Sequence, residues 1–412
     1  MWSARNRLIL IMLIAGGMLN YADRQIIAVL KPMLQHSLHW TDGDYGHMTA
    51  IFQFASAIAL LGSGWVVDRI GWRAANPLAV GSWSLAAMAH AFTRTLGQFT
   101  VARVALGATE AFGTPTAIKT IAAIFRNEER SLALGVMNAA NTVGAIVTPL
   151  IIPWLAAQIG WAKSFLVTGG LGLVWVAVWF IAAPAKSYAP PPSTTPAAPR
   201  EKVRWSVVLS DRRTWAVAGA KVLSDQVWWL LLFWMPDLFH RLYHLTPTAF
   251  GAPLAVIYAC AAVGSMVAGF ASTRALERGV SLNATRKFSL LTAALLVTPL
   301  WLVLLAPNYW VATAILGLAL AAHQGFSVNV FALATDVSPA PRVATVISLG
   351  AFCGNMAGAA ILQAAGWAMT KGHGYAPLLA FASISYLLGV GWVHLLLPRI
   401  VAADPEPEAV AA

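Results

Sequence analysis

Four ionisable residues stand inside stretches otherwise built of apolar side chains: Asp23 beside Arg24, and Arg103 with Glu110 seven residues further on. Seven residues are about two helical turns, so on a helix Arg103 and Glu110 share nearly one face. A charged side chain at mid-bilayer costs about 2.5 to 3.5 kcal/mol on insertion scales, which marks such groups as candidates for function. Arginine stays protonated and can hold a carboxylate through two parallel hydrogen bonds, so Arg24 and Arg103 suit the reception of an anion. Asp23 and Glu110 can load and release protons, because desolvation favours a neutral carboxyl while a nearby guanidinium favours the charged form. The same four groups would also serve as fixed ion pairs that only orient helices, Arg103 above all. Lys221 and Asp225, one turn apart in a later apolar stretch, either pair with each other or give Lys221 a hold on an anion or a gating role.

Positioning these groups falls to membrane spans. The chain has 412 residues, 58% of them hydrophobic and only 10% charged, against roughly 25% charged in a soluble protein. There is too little charge to coat a soluble exterior. Crossing the hydrocarbon core takes about 20 mostly apolar residues as a helix, and about twelve such segments follow one another. Their centres fall near Met18, Ala57, Ser84, Ala111, Asn141 and Leu173, then near Trp229, Cys260, Leu296, Gln324, Gly354 and Leu387. Between the sixth and seventh lies a Pro-rich polar stretch, Ala-Pro-Pro-Pro-Ser-Thr-Thr-Pro, followed by Arg200, Lys202, Arg204, Arg212 and Arg213. It reads as a linker. The expected organisation is an N-terminal six-helix bundle over 1–184, a linker over 185–212, a C-terminal six-helix bundle over 213–400 and a tail over 401–412. The expected fold class is an all-α membrane protein of twelve transmembrane helices in two bundles of about six.

Lysine and arginine in short loops set the orientation. With both termini cytoplasmic, Arg5, Arg7, Arg69, Arg73, Arg126, Arg130, the linker cluster, Arg274, Arg278, Arg286, Lys287, Arg342 and Arg399 lie inside. Only Lys31, Arg94, Lys163, Arg241 and Lys371 lie outside. The net charge of +11 is therefore topological, and no recognition fold accompanies it, which argues against a nucleic-acid partner. Cys260 and Cys353 sit in apolar runs without His or Cys at metal-ligand spacing, so neither a disulfide framework nor a metal site is expected. The first apolar stretch, from Leu8, is followed by Asn-Tyr-Ala-Asp-Arg instead of a small-residue cleavage site and is read as a retained span. An enzyme is not expected, since the spans lack H-E-x-x-H, G-x-S-x-G and paired aspartates. The Walker pattern is absent too, so no cofactor is expected and a gradient must supply the drive.

The two halves echo each other. Leu134-Gly135 with Asn141 and Gly144 in the fifth span parallels Leu349-Gly350 with Asn355 and Gly358 in the eleventh, where Gly350, Gly354 and Gly358 recur every fourth residue. Such glycines permit close helix packing, and their placement at equivalent points suggests an internal repeat. The loop after the second span reads Gly64-Trp-Val-Val-Asp68-Arg69-Ile-Gly71-Trp-Arg73, which resembles the G-x-x-x-D-R-x-G-x-R motif of the major facilitator superfamily. Its acid and arginines can latch helix ends while its glycines permit a tight turn. The corresponding loop of the second half, Gly269 to Arg286, is degenerate and lacks the Asp.

A narrower resemblance rests on Asn20-Tyr21-Ala22-Asp23-Arg24, on Arg103 with Glu110, on Gly144-Ala-Ile-Val-Thr-Pro149 and on Ala322-His323-Gln324. With Lys221-Val-Leu-Ser-Asp225-Gln-Val-Trp228-Trp229-Leu-Leu-Leu-Phe-Trp234-Met-Pro236, the chain is similar to the anion:cation symporter family and within it to bacterial hexuronate transporters. The resemblance implies a proton symporter that takes up an organic anion by alternating access, as a monomer in the bacterial inner membrane. The anion is a hexuronate, or else another sugar acid or carboxylate such as an aldonate or glucarate; a transporter-like solute sensor is the rival class. Drug efflux is less consistent with paired arginines. On this reading Asp23 and Glu110 couple protons, and Tyr21, Arg24, Arg103, Asn141, Lys221, Trp228, Gln324 and Asn355 meet substrate, with Thr335 a further polar candidate. Gly64, Asp68, Arg69, Gly71 and Arg73 form the gating loop. Trp228 or Trp229 would stack on sugar carbons while at least one faces lipid or protein. Lys119 is expected to snorkel at the end of span four. His36, His39 and His47 are read as loop residues and His323 as packing or substrate-facing.

Overall fold

The computed structural model describes residues 3–183 and 204–403, without the side chains of residues 127, 128, 131 and 138–141. Residues 184–203 of the Pro-rich linker, residues 404–412 of the tail and the Asn141 side chain therefore lie outside the described residues. Within them every regular element is a helix. In chain order these are α1 (Ala4–Val29), α2 (Lys31–Leu38), α3 (Asp42–Ile70), α4 (Trp72–Ala89), α5 (Leu96–Glu110), α6 (Gly113–Ile124), α7 (Asn127–Ile159) and α8 (Trp161–Ala182). They continue with α9 (Trp205–Ser210), α10 (Arg212–Tyr243), α11 (Gly251–Glu277), α12 (Leu282–Val297), α13 (Tyr309–Val337), α14 (Val343–Thr370) and α15 (Ala376–Leu396). The short α9 lies where the sequence reads as linker.

Nine of the described helices, counting α12 with its 3-10 extension, are long and apolar enough to cross a membrane. Three crossings expected from sequence fall short of that criterion: α1, α4 and the α5–α6 pair. Composition explains the first two, since α1 carries Asp23 and Arg24 and α4 carries Arg73, Asn76 and Pro77, whereas α5 and α6, of 15 and 12 residues, are each too short. The fourth crossing is not one continuous helix, because α5 stops at Glu110 and α6 restarts at Gly113. Gly113 weakens the helix there and Pro115 has no N–H to offer the preceding turn. Pro299 likewise turns the end of α12 into a 3-10 stretch, Thr298–Leu305.

Helix ends are set locally. The Thr41 hydroxyl accepts from the Asp44 N–H at 3.1 Å while the Asp44 carboxylate accepts from the Thr41 N–H at 2.9 Å, a reciprocal cap on α3. Gly71, at φ +78°, makes the turn from α3 into α4 that a side chain would strain. Asn308 caps α13 by accepting from the N–H groups of Trp310 and Val311, each at 3.0 Å.

The chain forms two compact units. The first comprises the described residues of Met1–Pro196, with Leu230–Tyr258 and Ala359–Gly374; the second comprises those of Ala197–Trp229, Ala259–Gly358 and Tyr375–Ala412. In the first, α1 lies on α7 where a Cβ at Gly144 would come 2.9 Å from the Met18 Cα. Backbone touches backbone there, as small residues allow. In the second, the glycine run of α14 fits a row on α10: Gly350 adjoins Lys221, Gly354 adjoins Asp225 and Gly358 adjoins Trp229. Each half thus places glycine of its fifth crossing against its first, as the sequence echo suggests.

Polarity is inverted relative to a soluble protein. Trp65, Val101, Ile181, Met266, Phe270 and Phe288 are exposed, whereas Asp23, Lys31, Arg103 and Glu110 are buried. Such an exterior matches hydrocarbon, and the buried charges must be settled by partners inside.

Candidate functional site

In the first unit, α1 and the end of α5 bring the charged residues together. Arg24 Nε donates to Glu110 Oε2 at 3.1 Å, with the Glu110 side chain fully buried and that of Arg24 16% exposed. The second oxygen of Glu110 has no hydrogen-bond partner among the described residues. The Arg24 guanidinium lies 5.8 Å from the centroids of both Tyr21 and Phe52. Asp23 is buried with Thr168 of α8 beside its carboxylate. Arg103 is fully enclosed, its guanidinium 4.4 Å above the Phe52 ring, and its three nitrogens find no acceptor among the described residues. Glu110, Tyr45, Arg24 and Asp23 are its electrostatic neighbours. Unsatisfied buried polar groups are rare and call for a functional or hydration role. The Arg24 side chain is partly exposed, whereas Arg103 is sealed in this structure.

A second network in the same unit was not legible as such in the sequence. Lys31 Nζ lies 2.7 Å from Asp237 Oδ1 and 2.9 Å from Asp42 Oδ1, and Arg241 closes the square with Nε to Asp237 at 2.8 Å and a second nitrogen to Asp42 at 2.7 Å. Gln35 adds a hydrogen bond to Asp42 at 3.1 Å. Lys31 is fully buried, with its ammonium 4.1 Å from the Trp234 centroid and 4.8 Å from that of Tyr45. The Tyr45 hydroxyl donates to the Phe233 carbonyl at 2.6 Å. By charge placement alone Lys31 and Arg241 read as outer-loop charges; the signal of their partnership is Asp237, an acid four residues before Arg241 in an apolar helix. Removing one partner of a buried pair strands the other charges, at a cost on the order of 3–5 kcal/mol. Lys31→Met is therefore expected to lower the apparent Tm of the purified protein by several degrees in a detergent thermal shift. Arg241→Met, at a half-exposed position, is expected to lower it less.

In the loop motif, Asp68 pairs with Lys119 of α6 at 2.5 Å, and Lys119 also donates to the Val67 carbonyl at 3.1 Å. The ammonium of Lys119 thus ends at the partly exposed Asp68 carboxylate of the loop motif. Arg69 lies 5.6 Å from the Trp65 centroid and Arg73 5.2 Å from that of Trp72. Gly71 supplies the turn, and Gly64 has open space about it. His36 and His47 belong to α2 and α3 instead of loops, with His47 Nδ1 3.1 Å from Gln363 Oε1, while His39 ends α2 at φ 54°.

In the second unit, Lys221 Nζ pairs with Asp225 Oδ1 at 2.8 Å, reaches Ser327 Oγ at 3.3 Å and lies 4.7 Å from the Phe331 centroid. Trp228 stacks on His323 at 5.0 Å, and His323 Nδ1 is 2.6 Å from the Tyr386 hydroxyl. That hydroxyl also lies 3.2 Å from the Ser224 carbonyl. Trp229 is buried against Gly358, so both members of the pair face protein. Gln324 is half-buried on α13; Asn355 donates to its own helix at Ala351 O, 2.8 Å, and exposed Thr335 does the same at Ala332 O, 2.7 Å. Arg286 pairs with Asp336 at 2.6 Å, so the second half, whose loop lacks the motif acid, has an arginine–acid pair from α12 to α13.

Comparison with known proteins follows these features. The family description "Major Facilitator Superfamily" matches residues 13–362. The hexuronate transporter of Escherichia coli K12 is 25% identical over 423 residues, covering 95% of this chain and 96% of the relative. The D-galactonate transporter of Escherichia coli O6:H1 is 24% identical over 416 residues, covering 93% and 94%. Probable anion transporter 4, chloroplastic, of Arabidopsis thaliana is 26% identical, covering 82% and 68%. A crystal structure of a bacterial homolog to the human lysosomal transporter Spinster, inward-facing and occupied, superposes with a TM-score of 0.79 at 16% identity, covering 98% of this chain and 100% of that one. That last likeness establishes the fold.

Proposed function

Because this chain belongs to the Major Facilitator Superfamily, we propose that it takes up an organic anion together with protons, a hexuronate such as glucuronate or galacturonate in the first place. It is a multi-pass membrane transporter related to transporters of sugar acids and other anions. The observation that carries the reading is the Arg24–Glu110 pair, an anion receptor held shut by a titratable acid inside an apolar helix bundle.

The chemistry follows from charge balance. While Glu110 is ionised it occupies the Arg24 fork. A proton on Glu110 frees that fork for the carboxylate of the substrate, which binds it through paired hydrogen bonds. The site then carries the same net charge with substrate as without, so the helices can rearrange without stranding a charge in hydrocarbon. Asp23 offers a second proton acceptor, and the sealed Arg103 biases both acids toward release once the site opens to the other side. Tyr21 and Asn141 are the further substrate contacts proposed in the first unit, and Lys221, Trp228, Gln324 and Asn355 the candidates in the second. The Asp68–Lys119 contact, with Gly64, Arg69, Gly71 and Arg73 around it, acts as a helix-end latch, and the Lys31–Asp42–Asp237–Arg241 square as a second. The asymmetry of basic residues among the loops supports a topology with both termini in the cytoplasm, and the reading is completed by a monomer in a bacterial inner membrane.

An aldonate is the second reading, because the D-galactonate relative matches as broadly as the hexuronate one. Purified protein in liposomes, with an inward proton gradient, tests both against glucuronate, galacturonate, galactonate and glucarate. Accumulation of one of the first two, lost on collapsing the gradient, is expected. Accumulation of galactonate alone would favour the second reading, and no uptake of any of the four would overturn both.

A further inference from the structure

Trp228 of α10 is held by two other helices of the second unit. Its ring stacks on that of His323 from α13, with centroids 5.0 Å apart and planes 18° from parallel. His323 is buried, and its Nδ1 lies 2.6 Å from the hydroxyl of Tyr386 on α15. That hydroxyl is 3.2 Å from the carbonyl of Ser224, one turn before Trp228, so the chain of contacts begins and ends on α10. The fully buried Tyr386 ring meets His323 edge-on at 6.0 Å and Phe326 edge-on at 5.1 Å. Its neighbour Ser385 donates to the Leu223 carbonyl and accepts from Gln226 Nε2 at 3.2 Å, which pins α15 to α10 beside Tyr386. Any apolar side chain would pack against an indole; an imidazole tied to a buried hydroxyl also fixes the angle at which it packs, because a hydrogen bond is directional. Trp228 itself is only half-buried, so part of this fixed ring stays accessible.

We propose that His323 and Tyr386 are positioning residues that hold Trp228 as a platform for the closed ring of a hexuronate, and that this platform selects against open-chain sugar acids. This rests on the reading of the chain as a transporter of sugar acids. A hexuronate in water is mostly a six-membered ring, whose flat sides present carbon-bound hydrogens with the hydroxyls set around the rim. Such a side matches the face of an indole, which combines apolar area with a negative quadrupole that attracts polarised C–H groups. An aldonate or a glucarate is an open chain with a hydroxyl on successive carbons and no flat apolar side. Laying it along the indole would freeze several rotatable bonds that the ring has already given up. A platform fixed in advance keeps the full gain of stacking, whereas one free to swing returns part of it as lost entropy. The contact is to carbon-bound hydrogens, so the single carboxylate of the substrate stays with Arg24 and no proton moves.

The test is uptake into liposomes, with kcat/KM measured for galacturonate, glucuronate and galactonate and the ratio of the better uronate to galactonate compared between forms. Wild type is expected to prefer the uronate. Trp228→Leu removes the platform and should lower the ratio about two- to tenfold, the span of one aromatic contact. Tyr386→Phe keeps a ring against His323 and Phe326 and deletes only the hydroxyl; it should lower the ratio in the same direction, through a higher KM for the uronate with kcat little changed. If Trp228→Leu does not assemble, Trp228→Phe replaces it, with a smaller platform and a smaller fall. A ratio unchanged in the Trp228 variant or in Tyr386→Phe overturns the inference, and so does a wild type that carries galactonate as well as the uronates. Each of these results leaves sugar-acid transport standing, whereas a wild type that carries none of the three overturns the underlying reading as well.

Discussion

Glu110→Gln is expected to abolish accumulation of the anion against its gradient while leaving exchange of labelled for unlabelled anion across the membrane. Glutamine has the shape of the protonated acid and stays neutral, so it imitates one half of the cycle permanently. Arg24, released from its 3.1 Å bond to the carboxylate, remains available to the substrate. Exchange needs only the loaded carrier to reorient, and the loaded carrier is the form the variant resembles. Net uptake needs the empty carrier to return with its proton released, which an amide cannot do. Each proton moving down one pH unit supplies about 1.4 kcal/mol, about tenfold in accumulation, which the wild type gains and the variant does not. Counterflow and gradient-driven uptake, measured side by side in liposomes, check this. Full accumulation by the variant would remove Glu110 from the coupling, and loss of both activities would reduce the pair to a structural contact.

Arg24→Lys carries the second large effect. The substitution preserves charge but replaces a planar fork by a single ammonium, which cannot present two parallel donors to one carboxylate. A charge-assisted hydrogen bond is worth about 1.5–3 kcal/mol, so losing one should raise KM by about ten- to a hundredfold. Arg24→Met should eliminate measurable uptake. Arg24 is the informative position, because 16% of its side chain remains open whereas Arg103 is wholly enclosed. A KM unchanged in Arg24→Lys would mean that the substrate carboxylate is held elsewhere, with Lys221 the next candidate.

The helical crossings were legible because bilayer thickness dictates a length and composition that few other structures share. The loop motif was legible because Gly71 and Asp68 answer local demands, a turn and a charged helix end. What spacing did not give was partnership across sequence distance. Asp68 meets Lys119, 51 residues on, and Lys31 meets Asp237 from a helix far along the chain. The α14 glycines read only as packing residues, since nothing in a run of three glycines says that Lys221, Asp225 and Trp229 lie against them. The break at Ala111 was hidden for another reason: Gly113 and Pro115 occur in ordinary membrane helices too, and only tertiary packing decides whether such a helix bends or breaks. Spacing alone set Glu110 on one face with Arg103, whereas the carboxylate takes its hydrogen bond from Arg24, 86 residues away.

Proton movement with substrate is the central claim, and a pH-sensitive dye inside the liposomes reads it directly. With no proton gradient imposed and membrane voltage clamped by potassium and valinomycin, adding glucuronate or galacturonate outside should acidify the lumen in step with uptake of the labelled acid, and Glu110→Gln, which exchanges without net uptake, should abolish the acidification. Uptake of the acid with no change in lumenal pH would contradict the account.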